Sequence, residues 1–411
     1  MVKSLHPIEN IAASVSSADD HRVRLTREAD ASAAGVLDDQ RHDPVAAVVQ
    51  ALRQPLDYPP LAAGVVPGDR VAIALDDAVP CVDDVVRGAV QTLERAGIEP
   101  EAISVVTTEA ETARTCREAL SSHASRLPQF VRHDPDDDDN LCLVGVTRRR
   151  EPVLVNRAIF DADVVLPIGV ARVNGTGAYD SLFPRFSNAE SIGRHRTPAS
   201  LNSTKHAAEK THEADEAGWL IGVPMVMQIV PGPGNAVAQV LAGEPQAVAR
   251  RAAALCRRQW SLHSPQQVDL VIATITGGAQ SQTWANVGRA LAAAEQLLTD
   301  DGAIAICSNL DEPPGESLGR LIGSTDLEKA ERKISHDQGA DSWPAWQLAR
   351  ALQRGPVYLL SQLAADTVED MGLAPVAEIA ELVRLAERHE RFVLIEDSQH
   401  AVVTVNEEEH E

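Results

Sequence analysis

Val71–Ala72–Ile73–Ala74–Leu75–Asp76–Asp77–Ala78–Val79–Pro80 decides the fold class of this chain. Five consecutive apolar residues fit a strand buried on both faces, because a strand with one wet face would alternate. The acidic pair ends that strand. Val82 to Gly97 then repeats apolar residues at helical spacing. The result is a βα unit, and more follow. Ile103–Thr107 predicts a strand and Ala113–His123 a helix, with further strands near Phe130, at Val153–Asn156 and at Asp163–Gly169. Such alternation predicts a largely parallel sheet with helices on both faces.

Outward from this core, 411 residues exceed one ordinary core and predict two or three domains. Aromatic residues make up only 3%, so the interior must be aliphatic. A net charge of −23 argues against nucleic-acid partners and anionic membrane surfaces, although an acidic protein can still hold a local basic pocket. Cys81, Cys116, Cys142, Cys256 and Cys307 are widely spaced and form no Cys-x-x-Cys pair. They read as thiols in a reducing compartment, and the cytoplasm is the expected location. No apolar run reaches the ~20 residues of a membrane span.

Residues 1 to about 40 are polar and predict an irregular or edge-strand arm. Pro44–Arg53 predicts a short helix. Val170 to Glu216 is rich in Gly, Ser, Asn, Arg and His and reads as a long irregular connection, often a functional feature. Leu220–Val230 and Ala236–Leu241 predict a hairpin around Pro231–Gly232–Pro233–Gly234–Asn235, followed by helix Pro245–Arg258. Gln259–Gln267 reads as a linker. Strands at Val268–Ile275, Ala303–Cys307, Val357–Leu360 and Phe392–Ile395 predict a second doubly wound sheet. The expected architecture is α/β: two domains with parallel-rich sheets flanked by helices and a ligand cleft between them. The expected domains are 1–262 and 263–411, with the last residues able to return to the first.

Short pieces of the chain, in order, resemble the lactate racemase family. They are Pro67–Gly68–Asp69–Arg70, the Asp76-to-Pro80 turn, Ile103–Ser104–Val105–Val106, His133–Asp134, Leu143–Val144–Gly145, Val155–Asn156–Arg157, Asp163–Val164–Val165–Leu166, Ser181–Leu182–Phe183–Pro184 and Gly277–Gly278. The resemblance implies racemisation or epimerisation of 2-hydroxy acids with a nickel-pincer nucleotide, two proton-transfer histidines, a nickel-ligating histidine and a tethering lysine. The residues at those positions differ. The family turn Asp-x-Thr-Arg-Pro keeps Asp76 and Pro80 but has Ala78 and Val79 between them. Its Gly-Thr-His-Arg falls on Glu109–Ala113, which offers Glu111 or Thr112 for the histidine. Arg172–Val173–Asn174 stands at the second histidine. The lysine position falls near Asp180, beside Tyr179. His195 is the heir of the nickel ligand, and Trp284, Asn286 and Arg289 stand where the family holds substrate.

Each candidate has a bland alternative. Gly277–Gly278 can present backbone N–H groups to an anion or simply make a βα turn. Asp76 can hold ribose hydroxyls at a strand's carboxyl end or cap a helix. Glu111 can carry a proton only with a raised pKa; otherwise it is a solvated helix-start carboxylate. His195, His206 and His212 are a possible metal set, but their spacing puts them on different faces. Asp134 and Asp136–Asp139 lack an EF-hand pattern and read as a solvated turn. Arg172 and Arg185 offer positive charge or lie on the surface, and Cys81 is an activated or a buried thiol.

Three functions stay open. The first is a divergent homologue that binds a small anionic metabolite or runs altered chemistry, not lactate racemisation. The second is an active racemase with His195, Glu111, Asp180, Tyr179 and Arg172 as relocated groups. The third is a non-catalytic interaction protein.

Overall fold

The computed structural model describes residues 8, 11–16, 21–27, 43–123, 125–175, 177–198 and 204–405. Two compact units divide the chain. One is drawn from Leu37–His195 and Leu201–Cys256, the other from Met1–Val36, Arg196–Ser200 and Arg257–Glu411. Most of the expected N-terminal arm lies outside the described residues; its strand β1 is Thr26–Arg27.

In the first unit, β2 (Val71–Leu75), β3 (Ile103–Thr107), β4 (Gln129–Arg132), β7 (Val164–Val170), β8 (Val226–Pro231) and β9 (Val237–Gly243) form one sheet. β5 (Leu141–Val146) and β6 (Pro152–Asn156) form a separate antiparallel pair. The large sheet runs β4-β3-β2-β7-β8-β9, parallel except for β9. All five residues of β2 are buried, as its unbroken apolar run requires. Val71, Ile73 and Leu75 pack with helices Pro44–Arg53 and Val82–Arg95; Ala72 and Ala74 face Phe183, Phe186 and helix Pro245–Trp260. β2 lies between β3 and β7, where successive crossovers diverge. Open α/β sheets hold ligands at the carboxyl ends of strands at such a switch point.

Two expectations fail here. The connection from Val170 to Glu216 is not irregular throughout: it contains helices Ala189–Arg196 and Thr204–Ile221. The second is built from strong helix formers such as Ala, Glu and Lys. Its core contacts come largely from small Ala214 and Ala217, so its apolar stripe is faint in sequence. Because this helix runs to Ile221, the strand expected from Leu220 begins only at Val226.

The second unit has the parallel sheet β14-β13-β12-β11-β15, made of β11 (Val268–Thr274), β12 (Leu298–Cys307), β13 (Val357–Leu360), β14 (Ala374–Val376) and β15 (Phe392–Ile395). The expected linker Gln259–Gln267 contains strand β10 (Ser261–Ser264), parallel to β16 (Val402–Val405) and antiparallel to β1. Four residues with one apolar side chain, Leu262, are too short to show strand period in sequence. Among the described residues no helix is long and apolar enough to cross a membrane.

Candidate functional site

The loops after β2 and β7 bring opposite charges together. Asp76 is buried; one carboxylate oxygen, Oδ1, accepts a hydrogen bond from Ala78 N at 3.0 Å and lies 3.0 Å from Arg185 Nη2. Asp77 faces the other way. It accepts from Thr108 Oγ1 at 2.5 Å and from the backbone N–H groups of Thr108 and Glu109 at 3.2 Å, tying the β2 loop to the β3 loop. Neither acid is the cap of helix Val82–Arg95. That position is Cys81, with φ +48 and no side-chain cap. Burial, then Asp84 and Asp83, push the Cys81 thiol up, so it is not activated.

Arg185 is aimed by its neighbours. Phe183 and Phe186 are fully buried anchors, and the backbone turns between them through the Phe186 N–H to the Leu182 carbonyl. That geometry sends Arg185 to the Asp76–Asp77 corner, with Asp77 Oδ2 3.9 Å from Nη1. Its Nε is buried and has no hydrogen-bond partner among the described residues.

Arg172 follows β7 and is partly buried. Desolvation pulls its guanidinium below the usual arginine range; Asp76 opposes that shift, while Arg185 adds to it. Among the described residues it has charged neighbours but no hydrogen-bond partner. A half-buried guanidinium with no hydrogen-bond partner among the described residues matches a planar anion such as a carboxylate. Proton-transfer groups are less evident. His133, after β4, spends both ring nitrogens: Nε2–H donates to the Ser187 carbonyl at 2.9 Å and Nδ1 accepts from Asn156 Nδ2 at 3.3 Å.

The other expected catalytic residues scatter. Glu111 is exposed, and its hydrogen bond with Arg114 holds its carboxyl below the usual range. A raised pKa, the condition for its role as proton carrier, is thereby contradicted: a solvated carboxylate beside a guanidinium favours its charged form. Tyr179 is buried, donates to the Val223 carbonyl at 2.9 Å, and is pushed up to about 12 by burial. Its ring covers Gly218, where a Cβ would lie 2.3 Å from ring carbon Cδ1. This is a core residue. Asp180 accepts from the Gly177 N–H at 2.9 Å and serves as a turn cap; Thr176 lies outside the described residues.

His195 is buried on helix Ala189–Arg196, its ring edge-on to Phe183 at 5.7 Å. Nδ1 lies 2.9 Å from the Ser191 carbonyl, so Nδ1 carries the proton. Among the described residues Nε2 has no hydrogen-bond partner, and Glu213 Oε2 stands 3.5 Å away. Burial holds the imidazole below its ordinary value against the pull of Glu213. The three histidines do not converge: His206 is exposed and His212 pairs with Glu216 at 3.3 Å. Among the described residues no group of three His, Cys, Asp or Glu is placed to hold a metal. The Asp134–Asp139 loop is largely exposed and closes on itself through turn hydrogen bonds.

In the second unit, Gly277 has φ +98, a conformation that favours glycine. The N-terminus of helix Trp284–Glu295 is already filled. Trp284 N donates to Glu312 Oε2 at 3.2 Å, and Thr283 caps Asn286 N. The N-terminus of that helix thus meets the chain's own Glu312 carboxylate. Trp284 is a buried core residue whose Nε1 donates to the Glu312 carbonyl at 2.9 Å. Asn286 is brought to Arg289: its Oδ1 accepts from Arg289 Nη1 at 2.6 Å while its Nδ2 donates to the Ser281 carbonyl at 2.7 Å.

Sequence reasoning missed Glu213 and Lys210, because the helix that carries them was read as irregular. The only signal was their i, i+3 spacing.

Residues 22–205 match the family model of the lactate racemase N-terminal domain. No curated protein matches the chain. The fold is similar to that of the lactate racemase apoprotein from Thermoanaerobacterium thermosaccharolyticum, with TM-score 0.72 and 17% identity, over 94% of this chain and 95% of that one. It is also similar to a Thermotoga maritima protein, with TM-score 0.65 and 14% identity, over 89% of this chain and 100% of that one.

Proposed function

We propose that this chain, whose residues 22–205 match the model of the lactate racemase N-terminal domain and whose fold is similar to that of a lactate racemase apoprotein, binds a small anionic metabolite at Arg172 and does not racemise lactate by the family mechanism. The observation that carries this reading is the Arg172 guanidinium, partly buried at the sheet's switch point with its donors unspent. Arg185 is its second cation, already neutralised by Asp76.

The nickel-pincer nucleotide fits this chain poorly. One imidazole suits a metal: His195 has Nδ1–H fixed on a carbonyl and Nε2 open. The rest argues the other way. Asp76 is engaged by Arg185 and Ala78 N–H, and Asp180 stands near the tether position with a carboxylate that forms no such attachment. Arg172–Val173–Asn174 stands around the second proton-transfer position with no histidine, and a guanidinium does not exchange protons near neutrality. Losing one general acid–base group costs ~10²–10⁴-fold in rate, and both histidine positions lack imidazole. His195 is the one observation that favours an enzyme with relocated groups.

The test is calorimetric titration with two- to four-carbon monocarboxylates, each also screened for conversion. Saturable binding to the wild type is expected, weakened ~10- to 100-fold in Arg172→Met, since a hydrogen bond to a charged group contributes ~1.5–3 kcal/mol. Equal affinity of the two proteins would refute the assignment.

A further inference from the structure

One face of the first unit's sheet is thinly covered at its β3–β4 edge. Helices Val82–Arg95 and Ala110–Ser121 both pack on the other face, with Ile103 and Val105. Strand alternation turns Ser104 and Gln129 away from those helices, to the side of Val106 and Val131. There the nearest helix is Arg157–Phe160, a single turn. Such a turn rises ~6 Å, while neighbouring strands lie ~4.8 Å apart, so it cannot roof β2, β3 and β4 together.

The gap is a hollow of about 390 Å³. It begins at the amino ends of β2 and β3, beside Arg70 and Ala102, and runs along β4 to Asp134. Asp76, Arg172 and Arg185 stand on loops at the carboxyl ends of the strands and do not line it. Val131, Ala158 and Ala162 give it a small aliphatic floor. Some of its polar groups are spent: Arg157 Nη2 donates to the Asp139 carbonyl at 2.8 Å, and Asn140 Nδ2 donates to Asp137 Oδ2 at 2.7 Å. Others are open. Among the described residues the Ser104 hydroxyl, Gln129 Oε1 and the Asp161 carboxylate have no hydrogen-bond or ion-pair partner. Arg132 engages only Nε, on the Thr108 carbonyl at 3.5 Å, which leaves its terminal nitrogens to donate.

Charge and shape select the occupant. Three guanidiniums, on Arg70, Arg132 and Arg157, share the lining with four carboxylates, Asp134 and Asp161 among them. An anion is repelled by the acids and a cation by the arginines; a neutral ligand meets neither penalty. No aromatic side chain lines the hollow, so none is there to stack on a nucleobase. A carboxylate only accepts, a guanidinium only donates, and a hydroxyl does both. Vicinal hydroxyl groups therefore satisfy the open set: two O–H groups donate to the two oxygens of one carboxylate, and hydroxyl or ring oxygens accept from arginine. The volume lies at the low end of the ~300–1,000 Å³ of ligand pockets, which suits one ring and not a chain of them.

We propose that this hollow binds a neutral polyol, a single pentose or hexose. Asp161 and Gln129 accept from its hydroxyls, Arg132 donates to its oxygens, and Ser104 does either. The site is independent of the Arg172 reading, since the two share no residue.

The experiment is calorimetric titration of full-length protein with D-ribose and with D-glucose. Saturable binding of at least one sugar is expected, with a Kd on the order of 1 mM or tighter. Affinity should fall ~10-fold in Asp161→Ala, an exposed position, and by a smaller factor in Ser104→Ala, as the loss of hydrogen bonds to a charged and to a neutral group requires. Melting curves check that both variants are folded. Arg172→Met should hold the sugar as the wild type does, so failure of the carboxylate reading leaves this test intact. No saturable binding of either sugar, equal affinity of wild type and Asp161→Ala, or loss of sugar binding in Arg172→Met would each overturn the proposal. D-ribose 5-phosphate held more tightly than ribose in Arg172→Met would overturn the neutral class.

Discussion

Arg172→Met and Arg185→Met should move stability in opposite directions, although both delete a guanidinium from the same corner. The Arg172 guanidinium has no hydrogen bond to lose among the described residues, and desolvation already disfavours its charge. Removing it leaves Asp76 paired with Arg185 at 3.0 Å. Methionine covers the same apolar stem, so the fold should gain roughly 0.5–2 kcal/mol, as when a residue kept for function is replaced. Arg185→Met instead takes the guanidinium away from Asp76, whose side chain is only 8% exposed and keeps the Ala78 N–H. Breaking a buried ion pair by removing one partner costs ~3–5 kcal/mol. At ~2–4 °C per kcal/mol for a unit of this size, the melting temperature should rise a few degrees in the first variant and fall by roughly 6–20 °C in the second. Calorimetric melting at pH 7.5 without added carboxylate measures both. A loss of stability in Arg172→Met equal to that in Arg185→Met would refute the reasoning, because it would make Arg172 a structural ion-pair partner and not an unspent donor.

Other expectations concern residues around the site. Gly218→Ala pushes a methyl against the Tyr179 ring; the overpacking cost of ~1–3 kcal/mol should outweigh the ~1 kcal/mol helix gain of alanine, and chemical denaturation reads the sign. Tyr179→Phe leaves the Val223 carbonyl without its donor and should cost ~1–3 kcal/mol in the same assay. His133 and His195 are both held below 6.5 in the fold by burial. The unfolded chain therefore binds more protons as pH falls through 6.5, and stability present above that value is lost toward the folded-state pKa. Melting should be lower at pH 5.5 than at 7.5, and the difference should shrink in His195→Gln. Glu111→Gln should leave carboxylate binding unchanged in calorimetric titration, since its exposed carboxylate is engaged by Arg114.

The parallel sheet was legible because β2 is buried on both faces and must be continuously apolar. The same logic exposed β11 and β15. Helix Thr204–Ile221 escaped because Ala214 and Ala217 bury little area each, so pattern alone could not separate it from a polar loop. β10 escaped because its partner β16 lies about 140 residues away. At the site, residue types were readable but their commitments were not. Tyr179 and Asp180 carry chemistry-capable groups, yet a carbonyl and an amide N–H consume them. Glu312 gave no sign in sequence that it would fill the N-terminus of helix Trp284–Glu295. Arg172 was readable as positive charge; that its donors are unspent follows only from the fold.

The most direct measurement is the enantiomeric composition of L-lactate incubated with protein co-expressed with the enzymes that build the pincer nucleotide. The proposed reading, with Arg172–Val173–Asn174 around the second histidine position and Asp180 near the tether position, predicts that L-lactate stays L. Racemisation that scales with protein-bound nickel would contradict the account.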